Sequence, residues 1–121
     1  REKTHSTLFR SRRAHGMARG RLKSASELAS KGSKDFYEEI AAALYRYIGD
    51  KKSVSPSGLT TESIDEHLEA SGVDDPLRTR FAAVLGACEE ARFTPGERTS
   101  EEMRALLRRT EQLIVSMERQ F

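Results

Sequence analysis

Phe36, Tyr37, Ile40, Leu44, Tyr47 and Ile48 return every three or four residues along DFYEEIAAALYRYIGD, the period at which a helix turns one face to a core. Asp35 followed by Glu38 has the spacing of a helix start, and Gly49 marks a stop. After the loop KKSVSPSG (51–58), LTTESIDEHLEASG places Ile64 and Leu68 one turn apart, between a capping Thr60 or Thr61 and Gly72. That pattern predicts a short, half-buried helix. In DDPLRTRFAAVLGACEEARF, Asp75 is the expected cap and Pro76 occupies the first turn, where its missing N–H is harmless. Leu77, Phe81, Val84, Leu85 and Cys88 then fall on one face. TPGERTS (94–100) reads as a turn. Thr99 with Glu102 forms a capping box for a last helix carrying Met103, Leu106, Leu107, Thr110, Ile114 and Met117.

Residues 1–34 read differently. Ala18, Leu22, Ala25, Leu28 and Ala29 make a thin apolar stripe at helical spacing, while Gly16 and Gly20 each weaken a helix by about 1 kcal/mol relative to alanine. Residues 1–16 are therefore expected to fray, and SKGSKD (30–35) is a break. No segment alternates with period two. The predicted fold is all-α, a small bundle of four helices (35–121) preceded by a basic, partly helical arm (1–34), with the body expected to fold without the arm.

Charge sharpens this division. The net charge of +2 conceals ten Lys/Arg against two Glu in residues 1–34 and eleven Lys/Arg against seventeen Asp/Glu in the remainder. RSRRAHGMARGR (10–21) holds five of those arginines, Arg10, Arg12, Arg13, Arg19 and Arg21. Such a cluster suits an anionic membrane surface, a nucleic-acid backbone or a solvated helix face. Phe9 is the arm's one aromatic for stacking on a base, which disfavours specific nucleic-acid recognition. The longest apolar run, Ile40–Tyr45, is far short of the roughly 20 residues that cross a bilayer. A single cysteine, Cys88, provides no internal disulfide, so a reducing compartment is the expected setting. The chain begins at Arg1 without methionine, which suggests a piece of something longer.

Candidate chemistry is sparse. His5, His15 and His67 fit no metal-binding spacing, and no phosphate-binding glycine loop, dinucleotide fingerprint or nucleophile elbow occurs. Cys88 lies on an apolar helix face, where a thiol behaves as a small hydrophobe. The pairs Glu38/Glu39, Glu89/Glu90 and Glu101/Glu102 are adjacent and diverge on a helix. A helix-turn-helix over residues 59–85 would put Asp74 and Asp75 against phosphates, so an αα-hairpin is the plainer reading. No catalytic residue, metal or cofactor is expected.

The Arg-rich lead-in, FYEEIAAALYRYIGDK (36–51), Leu59–Thr60 and CEEARFTPGE (88–97), followed by an amphipathic last helix, resemble the C-terminal, post-membrane region of the BatD family of aerotolerance, or oxygen-tolerance, proteins. The similarity spans roughly residues 10–121, and its most distinctive words are Cys88, Ala91, Arg92, Phe93 and Pro95. Glu90 departs from the pattern, standing where the family has an apolar residue, so that flank is expected to be exposed. The resemblance implies a non-catalytic cytoplasmic interaction module at the inner face of the inner membrane, the tail of a single-pass protein, whose basic arm is juxtamembrane. It also implies partners: other Bat proteins with von Willebrand A domains and a MoxR-type AAA+ ATPase. The rival reading from the residues alone is a basic, helical nucleic-acid-binding protein.

Overall fold

The computed structural model describes the backbone of residues 2–121 and the side chains of residues 11–121. The described residues form five α-helices: α1 (Glu2–Ser30), α2 (Asp35–Lys52), α3 (Thr61–Ala70), α4 (Asp75–Phe93) and α5 (Ser100–Gln120). One 3-10 turn, Pro56–Gly58, lies between α2 and α3, and there is no strand among the described residues.

Helix α1 is the main departure from expectation. It continues through Gly16 and Gly20 without a break, where the sequence suggests fraying up to residue 16. Its stripe explains why: Ala14, Ala18, Leu22, Ala25 and Ala29 are all buried and belong to the same hydrophobic cluster as Phe36, Ile40 and Leu44 of α2. Small side chains let α1 lie close along α2, and that tertiary packing outweighs two glycines' worth of propensity. The boundary at residue 34 therefore separates two charge regimes but not two cores.

The α1–α2 turn closes through Ser33 N–H to Leu28 O (3.0 Å) and Gly32 N–H to Ala29 O (3.0 Å). Ser33 then serves the start of α2, its Oγ accepting from Asp35 N–H at 3.2 Å, so Asp35 is the first helical residue and not the cap. Gly49 does not stop α2. The helix runs to Lys52 and ends at Ser53 in the left-handed region (φ 56°), with Val54 N–H on Gly49 O at 3.0 Å. Gly49 is glycine for a different reason: a Cβ there would stand 2.9 Å from Val54 O and 3.0 Å from Pro56 Cγ, where the returning loop crosses the helix.

Helix α3 opens with a capping box, Ser63 N–H on Thr60 Oγ1 (3.1 Å) and Thr60 N–H on Ser63 Oγ (2.8 Å). It ends at Gly72 (φ 86°), a conformation that favours glycine, with Val73 N–H on Leu68 O and both side chains buried. The cap of α4 is Asp74, accepting from Leu77 N–H at 3.1 Å, one residue before the expected Asp75. Thr99 and Glu102 form the anticipated box at α5, through bonds of 3.0 and 2.9 Å.

Packing then follows the faces. Helix α2 lies at the centre, against α1, α4 and α5, and α3 covers α4 through Ile64 and Leu68 as an αα-hairpin. Arg78 fastens that hairpin, with Nε on Asp65 Oδ1 (3.1 Å) and Nη1 on Val73 O (2.7 Å). Gln120 and Asp74 exchange two hydrogen bonds and tie the end of α5 to the start of α4. Gly32 neighbours Ser100, and the charge of His15 acts on Glu118, so α1 and α5 run antiparallel.

Candidate functional site

With the alanine stripe buried, helical geometry fixes where the arginines of α1 point. Arg12 and Arg19, seven residues apart, share one exposed face with Lys23. Arg13 is exposed on another flank, its Nη2 4.0 Å from the Met17 sulfur. Arg21 is turned toward the body, where its Nη1 lies 3.7 Å from Asp50 Oδ2. The side chain of Arg10 is outside the described residues. The four described arginines of this cluster thus do not converge on one surface: Arg12, Arg13 and Arg19 face outward, and Arg21 braces α1 against α2.

Beside the Arg12–Arg19 face lies an open groove of ≈ 770 Å³ between α1 and α5. Its α1 wall carries His15, Gly16, Arg19, Gly20, Lys23 and Ser26, and its α5 wall carries Glu111, Ile114 and Val115. Val115 is 46% exposed, an apolar side chain outside the buried stripe of α5. Sequence reasoning missed this groove because it treated His15 as solvated and passed over Val115. An apolar residue standing off the α5 stripe was the one available signal.

A second polar cluster seals the end of the bundle. Tyr47 O–H donates to Glu118 Oε2, Lys51 Nζ lies 2.9 Å from the same oxygen, and the ammonium stands 6.0 and 5.6 Å from the ring centres of Tyr47 and Phe121. Burial, reinforced by the hydrogen bond to and the charge of Glu118, pushes the Tyr47 phenol well up. Burial acts to raise the Glu118 carboxyl, but hydrogen bonds from Tyr47 and Lys51 and the charges of Lys51 and His15 outweigh it and hold the group below its ordinary range. These groups satisfy one another, which makes the cluster a clasp between α2 and α5.

The residues that carry the family resemblance divide in the same way. Cys88 is buried, and burial pushes its thiol up to about 12, so it is a poor nucleophile at neutral pH. Ala91 packs partly on the core, whereas Arg92, Phe93 and Pro95 are exposed, with the Arg92 guanidinium 5.2 Å from the Phe93 ring centre. Glu90 is exposed. Among the described residues no group of three or more His, Cys, Asp or Glu could hold a metal ion, and no helix is long and apolar enough to cross a membrane. No family model, curated protein or solved structure matches the chain.

Proposed function

We propose that the chain is a non-catalytic helical interaction module whose helix α1 bears on an anionic membrane surface, the role expected of the tail of a BatD-like, membrane-anchored protein. The observation that carries the reading is the division of α1: one face built from buried alanines, and the rest outward-facing, with Arg12 and Arg19 on one flank and Arg13 on the other. Because the alanine face is fixed by packing, the guanidinium groups are presented on a rigid element. Each Lys or Arg near an anionic leaflet contributes on the order of 1 kcal/mol, so three of them give binding that salt weakens. Other Bat proteins and a MoxR-type ATPase are the partners this reading proposes for the rest of the surface.

The test is partition onto vesicles. The protein is expected to bind vesicles containing phosphatidylserine or phosphatidylglycerol, to leave them as salt rises through the physiological range, and to ignore neutral phosphatidylcholine vesicles. Equal binding to neutral and anionic vesicles, or none to either, would refute it.

A further inference from the structure

The groove between α1 and α5 is not explained by a flat lipid surface, because its apolar part is recessed between two helices. From His15 to Ser26 it follows α1 for about three turns, or about 16 Å, the length covered by roughly 11 residues of a partner helix. Gly16 and Gly20 stand one turn apart on its wall, and a Cβ on either would meet nothing within 4 Å. Nothing in the fold itself therefore needs glycine there, although each glycine weakens α1 by about 1 kcal/mol. Val115 opposite offers an apolar contact.

The charges select the kind of occupant. Arg19 and Lys23 project on the α1 wall, Arg12 continues the same row, and among the described residues no carboxylate stands within 4.0 Å of any of these three cations. On α5, exposed Arg104 and Arg108 precede Glu111 and Val115 on one row, leaving Glu111 as the groove's one acid. A helix presenting apolar residues at i, i+4 and i+7, flanked by carboxylates, complements this surface in both shape and sign.

We propose that the α1/α5 groove is the docking site for an acidic amphipathic helix of a partner protein, its apolar residues over Gly16, Gly20 and Val115 and its carboxylates on Arg19 and Lys23. The proposal goes beyond the membrane reading and is separable from it: Arg13 lies outside the groove, and the glycines carry no charge. The probe is a synthetic helix-forming peptide of about 16 residues, with leucines at i, i+4, i+7 and i+11 flanked by glutamates. Two controls share its length: one scrambles the stripe, and the other replaces glutamate by lysine.

Titration of the full chain by NMR and calorimetry is expected to show saturable binding of the acidic peptide, with shifts at Gly16, Gly20, Lys23 and Val115. A Cβ at Gly16 or Gly20 has open space, so Gly16→Leu/Gly20→Leu should fill the groove, keep or raise the melting temperature and weaken the peptide by about tenfold or more, whereas charge-driven lipid binding should persist. Arg19→Glu/Lys23→Glu should lose the acidic peptide and accept the lysine version. The proposal is overturned if the acidic peptide does not bind or the scrambled peptide binds equally well. It is also overturned if the leucine variant binds unchanged or if the groove proves to be closed by a second copy in sedimentation.

Discussion

Removal of residues 1–34 tests whether α1 is an appendage or part of the core. The sequence expects residues 35–121 to fold alone, whereas α1 places Ala14, Ala18, Leu22, Ala25 and Ala29 in the shared cluster at 4% exposure or less. Burial of a leucine contributes about 1.5–3 kcal/mol and each alanine methyl roughly 0.8, so α1's own side amounts to about 5 kcal/mol, before counting the loss of cover over Phe36, Ile40 and Leu44. Domains of this size have total stabilities of about 5–15 kcal/mol. Urea unfolding of the 35–121 fragment, followed by circular dichroism at 222 nm, should therefore show a loss of about 5 kcal/mol or more and a smaller m-value, since less surface is exposed. Ala25→Leu in the full chain provides a local version of the same test: overpacking should cost about 1–3 kcal/mol. A fragment that unfolds at the full-length midpoint, together with a silent Ala25→Leu, would refute the packing argument.

Leu44→Ala should cost about 2–5 kcal/mol at its fully buried site, whereas Phe93→Ala, at 74% exposure, should stay within about 0.5 kcal/mol by the same unfolding assay. The Cys88 thiol ionises in the unfolded chain near its ordinary value of 9 but in the fold only near 12, so stability should fall as pH rises through that window, and Cys88→Ala should flatten the decline in a pH series of urea midpoints. Glu118 has the opposite sign: its carboxyl is depressed in the fold, so its contribution is present above about pH 4.3 and fades as pH falls below that, a slope that Glu118→Gln should reduce. Purified protein should show no hydrolase or nucleotidase turnover above buffer; turnover abolished by a single substitution would contradict a non-catalytic module.

Three of the helix ends were legible because their caps are local. Thr60, Thr99 and Gly72 each act within a few residues; the sequence names Thr99 and Gly72 and narrows the third to Thr60 or Thr61. The misplacements are also local, but they turn on choices that neighbouring residues compete for. Asp74 wins the cap over Asp75, and Gly49 is kept small by a loop crossing it, a contact that no helix-stop rule anticipates. The candidate site was half legible. The count of arginines was plain, but their division among outward-facing Arg12, Arg13 and Arg19 and inward-braced Arg21 depends on which stripe is buried, and a stripe of alanines is a faint signal. The Tyr47–Lys51–Glu118 clasp joins residues 71 positions apart and left no trace in the pattern.

The account rests most heavily on the rigid basic face of α1, and one comparison tests it directly. Wild-type protein and the Arg12→Gln/Arg13→Gln/Arg19→Gln variant are titrated with anionic vesicles at low and at physiological salt, with duplex DNA as a parallel ligand and the melting temperature of each protein recorded. Exposed charges contribute little to folding, so the account predicts nearly equal melting temperatures, salt-sensitive vesicle binding by the wild type and its loss in the variant, with at most weak, sequence-independent binding to DNA. Vesicle binding that survives the triple substitution, or sequence-selective DNA binding that persists at high salt without preference for anionic lipid, would contradict it.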